Sequence, residues 1–314
     1  MDNELDFASR TPSQLVERYV AENILRPDSI RNYYLAAHVF EKDTEIRQIS
    51  DINRDSVLTW RDIVLERVKP TTWNNYRLHL SVMWNFAVRM HWVETNPFAE
   101  VRPAPVLKKV KKTIPNNLLT ATIELLRNSD KAPKPAWFWL IVVRFLYFTG
   151  IRRRQLTSLK WKDIDFNENI IVLRAEGCKT KRDWTIPIPA TCLINLHRLR
   201  TRTEAVNGGS VKPNDQVFRV QLFYNRYKGK ELSSNQIGGF FGRLSKELTG
   251  PVSSHRLRHT MATELAKGPN RNLKLLQQIL GHTNLSTTLE YVHPDPEQFR
   301  GFLNQLQLPE KRHN

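Results

Sequence analysis

Cysteine is nearly absent: the 314 residues contain two, Cys178 and Cys192. A pair so placed builds no disulfide framework, and the chain is expected to work in a reducing compartment. Long apolar runs are missing as well. A membrane-spanning helix needs about 18 or more consecutive apolar residues. The longest candidate, A-W-F-W-L-I-V-V-R-F-L-Y-F at 136–148, is shorter and carries Arg144, so it reads as a buried helix and no membrane is expected as a partner. The N-terminus, M-D-N-E-L-D-F, is acidic and has neither the basic nor the apolar region of a secretory signal. No acidic cluster suggests a metal site.

What is present is charge of one sign. Forty-eight Lys and Arg stand against 31 Asp and Glu, a formal net charge of +17. The excess is uneven: residues 1–112 hold 17 basic and 15 acidic side chains, whereas 113–314 hold 31 and 16. Such a field concentrates a polyanion and speeds its capture, so nucleic acid is the expected partner. With 40% hydrophobic and 25% charged residues, a chain of this length fits two globular domains.

Hydrophobic spacing predicts a tail at 1–10, a helical domain at 11–100, a linker at 101–115, a second domain at 116–295 and a tail at 296–314. Thr11 caps and Pro12 opens a first helix with Leu15, Tyr19 and Val20 on one face. Asp28 is expected to cap a second, with Ile30, Tyr34, Leu35 and Val39 on its buried side. A third helix covers 54–68. A fourth, 71–90, places Tyr76, Leu80, Met83, Trp84 and Ala87 at helical spacing. Asn96-Pro97 closes this domain, in which nothing looks catalytic. The linker, V-R-P-A-P-V-L-K-K-V-K-K-T-I-P, carries Lys108, Lys109, Lys111 and Lys112. It reads as a solvated hinge or as a basic strap along a phosphate backbone.

In the second domain, helices at 116–127 and 136–148 precede Gly150, which suits a left-handed cap. Another helix starts near Arg152. Residues 170–173 and 184–188 form a β-hairpin around the turn E-G-C-K-T-K (176–181), and a third strand is expected near 216–219. A helix covers 233–248, and Ser254 is expected to cap the next, with Leu257, Met261 and Leu265 as its buried stripe. Leu273, Leu276, Ile279 and Leu280 make another stripe, capped by Gly281. Ser286 is expected to cap a short helix presenting Tyr291. Phe299, Phe302, Leu303 and Leu306 give the tail a helical, amphipathic spacing. The fold class expected is mainly α with a small antiparallel β-sheet.

His255 and Arg258 are three apart and share a helix face at the edge of the apolar stripe. His255 and His259 have the spacing of a zinc half-site, but the metalloprotease pattern needs Glu directly after the first His, and Arg256 stands there. No metal is expected. Taken singly, His282 reads as a cap for helix carbonyls, Tyr291 as a core aromatic with a wet hydroxyl, and Arg152 as part of a basic run with Arg153 and Arg154.

Together their order carries a resemblance. T-G-I-R (149–152), a lysine in a hairpin turn, H-R-L-R-H-T (255–260), L-G-H (280–282) and Tyr291, nine residues after His282, resemble the tyrosine recombinases, or phage-integrase family. The motifs span 149–292, and residues 11–112 resemble that family's N-terminal helical core-binding domain, including its closing N-P-F. The resemblance implies a catalytic domain at 116–295 that forms a C-shaped DNA clamp with the first domain. Arg152 matches the first arginine, His255 and Arg258 the H-x-x-R box, His282 the second histidine and Tyr291 the nucleophile. The hairpin lysine fits Lys179, eight residues before Pro187, with Lys181 as runner-up. Gln155 departs from the pattern, which usually has Glu or Asp there to brace the site; an amide keeps a hydrogen bond but lacks the charge.

The implied chemistry explains the residue types. Two guanidiniums hold the non-bridging phosphate oxygens while Tyr291 attacks to form a 3′-phosphotyrosyl bond, without ATP, cofactor or metal. Lys179 protonates the departing 5′-oxygen. His255 acts as base or hydrogen-bond partner towards Tyr291, and His282 holds a phosphate oxygen. Lys108, Lys109, Lys111, Lys112, Lys181 and Arg256 are candidate DNA contacts. The implied partners are duplex DNA with a specific core site, a homo-tetramer on synapsed DNA and accessory DNA-bending proteins. The implied setting is the nucleoid of a bacterial cytoplasm, with the gene on a phage or mobile element. The tail docks either on its own domain or in trans on a neighbouring subunit. About ten residues precede the first helix, leaving no room for a separate arm-binding domain, which favours a simple Xer-like recombinase for integration, excision, inversion or resolution. A type IB topoisomerase or telomere resolvase would share the pentad, and a DNA-binding relative with an impaired site is the remaining alternative.

Overall fold

A computed structural model describes residues 9–107, 111–174, 183–267, 272–292 and 300. The chain divides into two compact units, Met1–Lys109 and Val110–Asn314. No helix among the described residues is long and apolar enough to cross a membrane.

The first unit is helical: α1 (Pro12–Glu22), α2 (Pro27–Thr44), α3 (Arg54–Arg67), α4 (Pro70–Arg89) and the short α5 (Pro97–Glu100). Thr11 and Gln14 cap α1 reciprocally: the Thr11 hydroxyl accepts from the Gln14 N–H at 3.2 Å and Gln14 Oε1 from the Thr11 N–H at 2.9 Å. Asn53 and Ser56 do the same for α3. Asp28 lies in the first turn of α2 rather than capping it, because Pro27 already opens the helix. The buried face of α2 also differs from expectation. Ala36, Ala37 and Phe40 are inside, while Tyr34 and Leu35 are exposed. The small alanines let α2 lie close against α1 and α4, and Phe40 enters an aromatic cluster with Trp60 and Phe98, at ring separations of 5.1 and 5.5 Å.

The second unit opens with α6 (Asn116–Asn128) and α7 (Ala136–Thr149), the latter buried over most of its surface. Gly150 ends α7 with φ +60°, and a Cβ there would fall 1.9 Å from Met261 Cε, so both the backbone and the packing against the later helix call for glycine. Next come α8 (Arg153–Ser158) and an antiparallel sheet of β1 (Ile164–Asp165), β2 (Ile170–Leu173) and β3 (Trp184–Pro187), with Ile171 opposite both Ile164 and Ile186. The third strand is therefore 164–165, not 216–219. Gln216 makes only an isolated bridge to Lys160. Its buried side chain serves instead as a strand substitute, accepting from the Leu232 N–H at 2.7 Å and donating to the carbonyls of Leu232 and Thr157.

The remaining helices are α9 (Ala190–Asn207), α10 (Ser234–Lys246), α11 (Ser254–Lys267), α12 (Leu273–Leu280) and α13 (Leu285–Leu289). Leu265 on α11 is exposed; the buried stripe runs through Leu257, Met261, Ala262 and Ala266. Eight residues overshoot two helical turns by about 80°, which carries Leu265 off the face of Leu257. Ser253 rather than Ser254 caps α11, its hydroxyl accepting from the Arg256 N–H at 3.2 Å. Asn284 rather than Ser286 caps α13.

Candidate active site

Two helix ends and one arginine form the frame. α7 and α12 both end in left-handed glycines, Gly150 and Gly281, which turn the last carbonyls of each helix away from continued helical bonding. Arg258, only 4% exposed, fills the gap between those ends. Its Nη1 donates to the Gly150 carbonyl and its Nη2 to the Leu280 carbonyl at 2.6 Å. A cation at two helix C-termini is favourably placed. Burial first, then the neighbouring Arg152, pulls its pKa down to about 10, so it stays charged at neutral pH.

His282, following the Gly281 cap, stands with Nε2 3.2 Å from Arg258 Nη2 and Nδ1 3.0 Å from Thr288 Oγ1. A guanidinium can only donate, so Nε2 accepts and the proton sits on Nδ1, donating to the threonine. Burial, then Arg258, Arg152 and Lys111, lower its pKa to about 4, keeping the ring neutral. Trp184 of β3 lies against Gly281, where a Cβ would come within 2.5 Å of Cζ2. The sheet thus holds the loop that carries His282.

Tyr291 follows α13 and is 2% exposed. Its hydroxyl lies 2.9 Å from His259 Nδ1, and the Arg258 guanidinium also reaches it. Its ring is parallel to that of His282, with centroids 6.2 Å apart. Burial raises the phenol pKa, while Arg258 and Lys111 oppose the rise. The imidazole on Tyr291 is therefore His259 and not the expected His255. One helical turn separates them; burial first, then Arg153, Arg258 and Arg152, lower the pKa of His255. In the sequence His259 has a zinc-like spacing from His255 and a place within H-R-L-R-H-T, neither of which assigns it to the tyrosine. Its signal was the position directly after the arginine, one turn along α11 from His255.

Arg152 caps α8, and its charge depresses the pKa of Arg258, His255 and His282, which places it at the same site. Its backbone N–H donates to Gln155 Oε1 at 2.7 Å, and Gln155 is 1% exposed. The amide thus takes the bracing hydrogen bond that a carboxylate could make. Lys111 pairs with Glu290 at 2.7 Å, beside the tyrosine. Arg256 Nη1 donates to the Thr113 carbonyl at 3.4 Å, and the Ile114 N–H to Thr260 Oγ1 at 2.8 Å, so residues 113–114 are fastened along α11. Lys112 is exposed. Lys108, Lys109, Lys179, Lys181, Cys178 and the amphipathic positions of the tail lie outside the described residues. Among the described residues, no three His, Cys, Asp or Glu are grouped to hold a metal ion.

A neutral imidazole on a buried phenol, with two guanidiniums adjacent, is suited to an oxygen nucleophile attacking a phosphate ester. Comparison with known proteins points the same way. The sequence model of the phage integrase family matches residues 119–298. A Pseudomonas aeruginosa protein named as a tyrosine recombinase XerC is 32% identical over 311 residues, covering 95% of this chain and 72% of its own length. A Pseudomonas syringae protein of the same name is 31% identical over 306 residues, and the match spans 94% of this chain but 64% of that relative. Among solved structures, the Tn1549 transposon integrase in complex with a circular intermediate DNA superposes with a TM-score of 0.75 at 21% identity, over 95% of this chain and 100% of that one. That likeness speaks to the fold.

Proposed function

Because the chain belongs to the phage integrase family of tyrosine recombinases, we propose that it is a site-specific recombinase that cuts and rejoins DNA through a 3′-phosphotyrosyl intermediate. The observation that carries this is the pairing of the buried Tyr291 and Arg258 with the half-buried His259. Arg152 and Arg258 hold the non-bridging oxygens as charge builds on phosphorus. The Tyr291 oxygen displaces the 5′-oxygen, and the phosphotyrosyl ester keeps the energy of the broken bond, so no nucleotide is consumed. His282, neutral and held by Thr288, accepts at Nε2 from Arg258 and so steadies the guanidinium that grips the phosphate. Lys179, on the segment joining β2 to β3, supplies the proton to the leaving oxygen. Trp184 against Gly281 supports this, because it ties one end of that segment to the site.

The two-unit division supports a core-binding domain at 11–100 and a catalytic domain at 116–295, each of which contacts duplex DNA at a specific core site. Lys111, Lys112, Arg256 and the lysines at 108, 109 and 181 make backbone contacts. The working assembly is a homo-tetramer on two synapsed sites, helped by DNA-bending proteins, in a bacterial cytoplasm. The task is integration, excision, inversion or resolution of a mobile element or plasmid.

The test uses nicked suicide duplexes bearing a site recovered from a random-sequence library by binding to this protein. Wild type should form a covalent protein–DNA adduct, and Tyr291→Phe should form none. An adduct that persists in Tyr291→Phe would sink the mechanism.

A further inference from the structure

Resting on the recombinase mechanism above, we infer that His259 is a further catalytic residue: its Nδ1 takes the phenolic proton of Tyr291 as the tyrosine oxygen bonds to phosphorus.

The hydrogen-bond inventory around the phenol leads to this assignment. Two groups among the described residues meet the Tyr291 oxygen: the Arg258 guanidinium and His259 Nδ1, the latter at 2.9 Å. A guanidinium has donors only, so the phenol accepts from Arg258 and must direct its own proton elsewhere. His259 Nδ1 is the acceptor in place. Two further imidazoles described at the site are otherwise disposed. His282 already accepts at Nε2 from Arg258 and donates at Nδ1 to Thr288. His255 lies one turn back on α11, its ring centroid 6.4 Å from that of His259. Among the described residues, the proton of Tyr291 therefore has one short path, and it ends on His259.

The charges facing His259 agree with an acceptor role. Burial, then Lys111, His255 and Arg258, lower its pKa to about 4, with Glu290 opposing them. The ring is neutral through the physiological range and holds its lone pair towards the phenol. An incoming phosphate brings negative charge into this cationic cluster and raises the proton affinity of the imidazole at the moment it is needed. The step balances. The Tyr291 oxygen–phosphorus bond forms and the phosphorus–O5′ bond breaks with its electron pair leaving on O5′. The phenolic proton moves to Nδ1, and O5′ receives a different proton from the general acid, Lys179. On rejoining, the imidazolium returns its proton to the departing phenolate.

The test separates the two proton transfers. The full-length protein is given the selected nicked duplex with either oxygen or sulfur at the scissile 5′-bridging position. A thiolate leaves without a proton, so a general-acid defect is rescued by sulfur and a defect at the nucleophile is not. His259→Ala should slow adduct formation by about 100-fold on both substrates, whereas Lys179→Ala should recover on sulfur. On the sulfur substrate, wild type should be flat from pH 7 to 9. His259→Ala should gain about tenfold per pH unit, because hydroxide then takes over the proton. His259→Asn, which keeps a hydrogen-bonding group near the Nδ1 position but has no useful proton affinity, should follow His259→Ala, with DNA affinity retained as a check on folding. Wild-type rates in His259→Asn, a flat pH profile in His259→Ala, or rescue of His259→Ala by sulfur would each overturn the assignment. If Tyr291→Phe still forms the adduct, it is the recombinase mechanism that fails instead.

Discussion

Trp60, Trp73 and Trp84 fill the first unit with aromatic rings, whereas the second packs an arginine, three glutamines and an aspartate among its apolar side chains. Among the described residues, the first unit buries one polar side chain, Ser81, and the second buries thirteen. The contrast extends to charge, which is nearly balanced over residues 1–112 and strongly basic beyond. Burying polar groups is costly unless each finds a partner. Arg258 answers that cost by tying the ends of α7 and α12 together, and Gln216 by replacing a strand. The first unit is held by rings and is free to use its surface. The second is held partly by the groups of its own site, so in the second unit stability and chemistry are coupled.

Removing Arg258 should show that coupling at its strongest. Arg258→Ala strips the bonds from the Gly150 and Leu280 carbonyls in a dry place, at a cost of about 3–5 kcal/mol. It should also lower adduct formation by about a thousandfold or more. Thermal unfolding followed by proteolysis of each unit would show the loss confined to residues 110–314. A wild-type transition there would break the comparison. Trp60→Ala is the counterpart: a cavity between Phe40 and Phe98 should cost about 3–5 kcal/mol in the first unit. Adduct formation at saturating DNA should stay within about threefold of wild type, since residues in separate compact cores act independently. A matching collapse of the chemistry would mean that the units are coupled after all.

Smaller effects should follow the links around Gly281. Gly281→Ala meets Trp184 and a φ of +59° together, so the second unit should lose about 1–3 kcal/mol. Adding Trp184→Phe should return part of it in the same melting measurement. Acid should act on the same region. His259 and His282 have pKa values of about 4 in the folded chain against an ordinary value near 6.5. Between those values the unfolded chain binds more protons. The stabilisation is therefore complete above pH 6.5 and is lost as pH falls towards 4. Both rings are partly solvated, so screening leaves on the order of 1 kcal/mol for the pair. Melting curves from pH 7 to 4.5 should flatten in His259→Asn/His282→Asn; an unchanged slope would assign the acid sensitivity elsewhere.

Local signals were legible in the sequence, and three-dimensional ones were not. Gly150 and Gly281 as caps, the helical spacing of α4 and the β2–β3 hairpin could be read from residue types and spacing, whereas the grouping of Arg152, Arg258, His282 and Tyr291 came from the family resemblance that their order carries. Leu265 was misplaced because a four-residue repeat drifts around a helix. Tyr34 and Leu35 were misplaced because the neighbours of α2 favour small alanines, which hydropathy does not record. The 216–219 strand failed because Gln216 mimics a backbone partner with its side chain. His259 stayed hidden for a related reason: spacing puts it one turn from His255, but only folding says which of them meets a tyrosine 32 residues later. Two of the partners of Arg258 are main-chain carbonyls, which no residue type announces.

Gln155 offers the finest adjustment of the contrast between the units. Its oxygen accepts from the Arg152 N–H at 2.7 Å inside the second unit. Gln155→Glu should keep that bond and place a negative charge beside Arg152, whose own charge works against that of Arg258. We expect a gain of about 0.5–1 kcal/mol in the second unit and adduct formation a few-fold faster, through a better-ordered Arg152. Gln155→Ala, losing the bond, should slow the reaction by about tenfold with DNA affinity unchanged. If Gln155→Glu is slower than wild type, the added charge competes with phosphate for the arginines. The amide would then be the better brace for this site.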